Sequence, residues 1–245
     1  MKPTIEQSFP TDYYAFVEHS GYPNHGPWIV DSKHYQDLPE TMSPLDDGKM
    51  VNTLLKNKHP YMQHKFYKAQ FHRLPQLQRY RYIVWMDSQY EIGSKDIVRD
   101  LIKQKGNATI SIFNHYFRKS IREECVVSAK DERWKNTTLW GIKQPFQNVT
   151  RQTEYYYASG FSDSYLRNHC NEGNYGLFVC AFFVIDMDSP KAVPLMDDWY
   201  LQMLNHTTQD QIAFPYSAWK TGIYPKTIPG VIIRNSYIIF RGHYK

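Results

Sequence analysis

Ten consecutive residues, "GLFVCAFFVI" at positions 176–185, carry no charged or strongly polar side chain. The run is far short of the ~20 apolar residues a membrane span requires, and it reads instead as a buried strand. Such a strand needs cover on both faces. A chain of 245 residues can supply it, since at this length about 75% of the surface exposed by the unfolded form is buried on folding. One large domain or two small ones would fit, and no composition break, repeat or low-complexity tract marks a linker, so a single domain over 1–245 is expected.

Strand and helix patterns alternate around that run. "YYAFV" and "PWIVD" read as strands separated by the turn-rich "HSGYPNHG". A helical pattern covers about Met50 to Leu77, followed by the strand "YIVWMD" and by "SKDIVRDLIKQKG", where Ser94 is the expected N-cap and Gly106 the expected stop. "ATISIF" reads as a strand, and about Lys119 to Ala158 as mostly helical or irregular. After "GLFVCAFFVID", Leu195, Trp199 and Met203 recur at helical spacing. The interleaving predicts an α/β domain with a mostly parallel central sheet.

With 16% aromatic and 22% charged residues the chain is globular rather than disordered. A formal charge of +5, spread along the chain, favours anionic ligands without demanding nucleic acid. Cys125, Cys170 and Cys180 form no CxxC pair, which suits a reducing compartment. "MKPTIEQSFPTD" lacks the apolar core of a secretory signal, so a soluble intracellular protein, or an excised domain of a larger one, is expected, with no membrane span.

Several residues stand where chemistry is done. In "HPYMQHKFYKAQFHRL", Lys65, Lys68 and His72 fall within about 60° of one another on a helical wheel, with Tyr67, Phe71 and Leu74 opposite. The pattern is either a solvated basic face or a cationic face beside a phosphate site. Asp87 ends an apolar run and is either a turn residue or a ligand for Mn²⁺ or Mg²⁺, cations that need only one or two carboxylates plus substrate phosphates. "FFVIDMDSP" places Asp186 and Asp188 two apart and looks more like a paired-carboxylate metal motif. However, Asp188 or Ser189 as N-cap, with Pro190 at the first helical position, explains it as a helix start. In "NHTTQDQIAF", Thr208 and Gln211 fit a capping box that sets Asp210 in the first turn. His243 closes the chain in "IIFRGHYK".

Taken in order, "HKFYKAQFHRLPQLQRYRYIVWMDSQYEI", "WYLQML" and "QDQIAFPYSAWK" resemble the glycosyltransferase-like family that includes plant proteins of turgor regulation and seed mucilage pectin synthesis. The resemblance spans roughly Asn57 to Lys220 and is most specific at Trp85 to Ser88 and Asp210 to Phe214. It implies a GT-A type, Rossmann-like fold that binds a nucleoside-diphosphate sugar, with UDP sugars favoured. The nucleotide-sugar half would be about 1–115 and the acceptor and catalytic half about 116–245. The implied activity moves a sugar to a hydroxyl of a glycan or glycoprotein, assisted by a divalent metal. By the same resemblance Asp87 matches the metal-binding strand end, and Lys65 and Lys68, with His72 on their face, match the basic helix at the donor diphosphate. Asp210 and Gln211 match a catalytic "DQ" pair, and His243 is a second metal ligand by analogy. Gln89 stands where a second Asp would complete the commoner Asp-x-Asp pattern, which leaves metal dependence open. Asp186 and Asp188 fall where the family has a basic motif, so they are acceptor-facing candidates rather than metal ligands.

The alternative is a non-catalytic module that binds glycan, polyanion or nucleic acid, motivated by the charge and by "RLPQLQRYRY". No RNA-binding motif accompanies it, and nucleic acid is not expected as a partner. Oligomeric state and anomeric outcome are open.

Overall fold

The computed structural model describes residues 5–17, 26–32, 60–131, 138–139, 142–143, 147–169 and 176–242. Cys170, His243 and the first part of the helix expected over Met50 to Leu77 lie outside the described residues. The described elements make a mixed α/β fold around a four-stranded sheet. Its strands are β3 (Tyr82–Met86), β5 (Ile110–Asn114), β8 (Phe178–Asp186) and β9 (Lys226–Ile228), in the order β3-β8-β5-β9. The apolar run is β8, and all nine of its residues are buried.

The expected mostly parallel sheet is corrected to a mixed one. β8 pairs antiparallel with both β3 and β5, and only β5 with β9 is parallel. A run buried on both faces has the same composition whichever way it points, so its direction was not readable from its pattern. β3, β5 and β9 consequently share one direction, and their C-terminal ends emerge at one edge.

One face of the sheet is covered by α1 (Pro60–Ala69), α6 (Ala192–Asn205) and α7 (Asp210–Lys220). Phe178, Cys180, Phe183 and Ile185 of β8 pack there with Phe66, Trp199 and Phe214. The other face receives Val179, Ala181, Phe182 and Val184, which pack with Leu101 of α2 (Ile97–Lys105) and with Tyr90 and Ile238. Tyr90 and Ile238 belong to a separate antiparallel pair, β4 (Tyr90–Ile92) with β10 (Ile238–Phe240). The in-out alternation of β8 breaks between Ala181 and Phe182, which face the same side, where the β5 register jumps from Ile112↔Phe183 to Phe113↔Val179. This bulge turns Cys180 toward the start of α7, its Sγ 3.7 Å from the Asp210 carbonyl oxygen.

The remaining elements are peripheral. β1 (Tyr13–Phe16) and β2 (Trp28–Asp31) form a parallel pair, and Phe16 stacks on Tyr67 with ring centroids 4.4 Å apart. α3 (Ile121–Ser128) and α4 (Val149–Ala158) lean on α7, followed by α5 (Asp163–His169). β6 (Thr138–Leu139) and β7 (Ile142–Lys143) form a short hairpin pair.

Local signals explain where helices begin and end. Gly106 stops α2 at φ 55°, but Asp96 is its N-cap, while Ser94 accepts the Asp96 N–H in the preceding turn. α6 starts at Ala192 rather than Pro190, because Asp186 holds the intervening turn by accepting from the Asp188 and Ser189 N–H groups. α1 ends at Ala69, and two short 3₁₀ turns follow, with Leu74 extended at ψ 116° ahead of Pro75. The expected continuous helix to Leu77 is therefore broken, and His72 leaves the wheel on which Lys65 and Lys68 lie.

Phe183, fully buried and edge-on to Trp199 at 5.8 Å, joins β8 to α6. Phe183→Ala is expected to lower the unfolding free energy by about 3–5 kcal/mol. Urea unfolding would show this as a lower midpoint at unchanged slope, and a loss below about 1 kcal/mol would mean that this face of the sheet is not the principal core.

Candidate functional site

Asp87 follows directly on β3. Its N–H donates to the Ala181 carbonyl at 2.8 Å and its carbonyl accepts from the Tyr90 N–H at 3.1 Å, so the chain turns sharply from β3 into β4. The backbone thus presents the carboxylate at the edge where the C-terminal ends of β3, β5 and β9 gather. Oδ1 accepts the Trp85 indole N–H at 2.6 Å, and the Lys68 ammonium lies 3.0 Å from Oδ1 and 3.3 Å from Oδ2. The Trp85 ring also faces Lys68, with Nζ 5.7 Å from its centroid.

The same ammonium reaches a second carboxylate. Asp210, the first residue of α7, accepts through Oδ2 from Lys68 at 2.9 Å and from Lys65 at 2.5 Å. Its backbone oxygen accepts the Trp199 indole N–H at 3.1 Å. Lys68 is 1% exposed, so the basic face of α1 is neither solvated nor open; its charges are spent on acidic partners inside the fold. The four groups sum to zero net charge.

Their electrostatics follow from burial and neighbours. Burial alone would raise the Asp210 pKa, but the ammonium groups of Lys65 and Lys68 outweigh it and hold the carboxyl well below the usual range. Burial would lower Lys68, and the carboxylates of Asp210 and Asp87 overcome that and push it up. Lys65 moves the other way, because burial and the repulsion of Lys68 exceed what Asp210 returns.

The loop before α7 is held by a buried polar network. The capping box does not form: Gln209 is the N-cap, and among the described residues the buried Thr208 hydroxyl has no hydrogen-bond partner. Instead the Thr208 N–H donates to Gln147, Thr207 donates to Gln152, and the Gln209 amide donates to Glu124 and Ser128, each at 2.8 Å. Glu124 in turn accepts from Arg118. Sequence reasoning missed this network, since a Glu pair in the first turn of a helix carries no mark of burial.

The other sequence candidates are placed elsewhere or differently. His72 pairs with Asp197 at 3.0 Å, away from the two lysines. Asp186 and Asp188 stand at the opposite end of the sheet, since Asp186 pairs with Tyr82 and Asp87 lies five residues further along β3, about 16 Å at ~3.3 Å per residue. Asp186 accepts from Arg81 at 3.2 and 3.3 Å and from the buried Lys105 at 3.2 Å, while Asp188 pairs with Arg81 at 3.2 Å. The Asp186 carboxylate is thus occupied by cations, Asp188 is an exposed pair with Arg81, and neither joins the Asp87 site. Gln211 is half-buried at the second position of α7, and its side chain makes no hydrogen bond among the described residues.

The Asp87 carboxylate keeps part of its capacity to bind a ligand. A carboxylate offers about four lone-pair positions, of which Trp85 and Lys68 take two on Oδ1 and one on Oδ2. The Asp87 side chain is 29% exposed, so an outer edge is open to a ligand. Among the described residues no group of three His, Cys, Asp or Glu side chains is placed to enclose a metal. A cation at Asp87 would have one carboxylate from the described residues and would need phosphate and water to complete its coordination.

Over residues 49–229 the chain matches the family described as "TOD1/MUCI70, glycosyltransferase-like domain". The matched span contains Lys65, Lys68, Asp87, Asp210 and Gln211 and stops short of His243. No curated protein matches the chain.

Asp210→Asn leaves the buried Lys65 ammonium without its carboxylate and Lys68 with Asp87 alone, and a loss of about 3–5 kcal/mol is expected. Because the folded pKa of Asp210 is lowered, its contribution is complete above the unfolded value of about 3.9 and is lost as pH falls through the folded value. Urea midpoints measured from pH 7 down to pH 2 should therefore converge for wild type and variant below about pH 4. A gap that stays constant over that range would show that the Asp210 charge is not what stabilises the fold.

Proposed function

Since the chain belongs to the TOD1/MUCI70 family of glycosyltransferase-like domains, we propose that it transfers a sugar from a nucleoside-diphosphate sugar to a hydroxyl of a glycan or glycoprotein. Uridine diphosphate sugars are the favoured donors. The observation that carries the reading is the Lys68 ammonium bridging Asp87, at the C-terminal end of β3, to Asp210, at the N-terminus of α7. Open α/β sheets bind ligands beyond the C-terminal ends of their strands, and a helix N-terminus favours anions. Three strands ending at one edge support a GT-A type arrangement as part of the same proposal.

The roles follow from the electrostatics. A cluster whose charges already cancel has nothing left to offset a diphosphate, which is the argument for Mn²⁺ or Mg²⁺ at the open edge of Asp87. When bound, the cation neutralises the leaving diphosphate. Asp210, with its carboxyl held so low, is a poor proton acceptor at neutral pH. Its part is to hold Lys65 and Lys68 in place, so that the Asp87 carboxylate is already fixed before the donor arrives. Gln211, next along α7, offers an amide to the hydroxyls of the sugar.

In "RLPQLQRYRY", Arg79 pairs with Asp12, Arg81 pairs with Asp186 and Asp188, and the Tyr80 hydroxyl donates to Asp12, while both arginine side chains stay more than half exposed, so the polyanion-binding alternative keeps an accessible basic surface. Among the described residues no helix is long and apolar enough to cross a membrane.

A thermal-shift panel of nucleoside diphosphates and their sugars, with Mn²⁺, Mg²⁺ or chelator, tests the proposal. One nucleotide is expected to stabilise the protein, by about 2.7 kcal/mol at a hundred times its Kd. Gln211→Ala is expected to lower donor turnover at least tenfold with an unchanged melting temperature. Absence of any nucleotide-dependent shift would count against nucleotide-sugar chemistry.

A further inference from the structure

A lone carboxylate is a poor metal site unless something fixes which oxygen it offers. At Asp87 that fixing is built in. The Trp85 indole donates to Oδ1 at 2.6 Å, and the Lys68 ammonium lies across both oxygens at 3.0 and 3.3 Å. Trp85 is two residues before Asp87 on the same strand, so its N–H folds back along the strand, while its ring closes over Lys68 at 5.7 Å. Lys68 is itself anchored by Asp210 at 2.9 Å. Oδ1 is thereby saturated, the side of the carboxylate between its two oxygens is filled, and the outer lone pair of Oδ2 is left.

We propose that Trp85 and Lys68 are positioning residues that aim a single oxygen, Asp87 Oδ2, at a divalent cation carried by the diphosphate of the donor. The inference rests on the nucleotide-sugar reading above and goes further, because it sets how many oxygens Asp87 itself offers, one, and names the described residues that fix it. Chelation by both Asp87 oxygens would require the space that the Lys68 ammonium holds. A second carboxylate two residues on, the usual way of enlarging such a site, is replaced by Gln89. With one protein oxygen the bare cation binds weakly, and the diphosphate supplies most of its coordination. Cation and nucleotide therefore strengthen each other's binding by the same factor. Hydrogen bonds to a ligating carboxylate of this kind are worth 10–100-fold in metal affinity.

The test uses the intact chain and the free Mn²⁺ signal in electron paramagnetic resonance, with and without uridine diphosphate. Wild type is expected to bind Mn²⁺ at least tenfold more tightly with the nucleotide than without it. Trp85→Phe keeps a ring over Lys68 but removes the N–H, and is expected to lose 10–100-fold of the nucleotide-assisted affinity. If Trp85→Phe fails to fold, Lys68→Arg, which keeps the charge but not the point geometry, carries the same expectation. Equal Mn²⁺ affinity with and without nucleotide, or full affinity in Trp85→Phe, overturns the inference while leaving nucleotide binding intact. Failure of wild type to bind any nucleoside diphosphate in the thermal-shift panel overturns the inference together with the reading it rests on.

Discussion

One ammonium group ties the fold to its site. Lys68 belongs to α1, Asp87 to the end of β3 and Asp210 to the start of α7, and all three elements meet at its Nζ. A buried charge is tolerable only with partners, so the placement of α1 against the sheet edge depends on both carboxylates being present. The reverse holds as well. Without the lysines, Asp210 would be a buried carboxylate at a helix start whose N-cap, Gln209, makes no side-chain capping bond among the described residues. The polar network from Glu124 and Gln209 keeps the loop before α7 in register with this meeting point.

Much of the element list was legible in the residues, because it depends on local pattern. The apolar run is a strand, Gly106 ends α2, and Leu195, Trp199 and Met203 all point inward from α6. What stayed hidden depends on contacts between distant segments. The direction of β8, the bulge at Ala181 and Phe182, and the pairing of β4 with β10 leave no trace in hydrophobic spacing. The wheel of α1 correctly joined Lys65 to Lys68. It failed at His72 because Pro75 and the turns before it end the helix early.

The two acidic strand ends show why motif shape alone misleads. Asp186 and Asp188 look more like a metal pair than Asp87 does, yet Arg81, Lys105 and the Asp188 N–H take up the capacity of the Asp186 carboxylate. Asp87 has less company in the sequence and more freedom in space. Which carboxylate keeps an open edge is decided by where cations from other elements land, and those cations lie far off along the chain.

The pairing of β4 with β10 bears on the order in which the molecule can be made. Arg241 donates to Glu91 across a separation of 150 residues, and Lys65 meets Asp210 across 145. On a ribosome the strand that ends in Asp87 emerges long before either partner. Until α7 has been synthesised, Lys65 and Lys68 have no Asp210 to accompany them into the interior and must remain hydrated. The carboxylate edge is therefore assembled only after α7 has been synthesised, and a nascent chain halted before α7 would expose an apolar sheet face that Asp210 does not yet help to close.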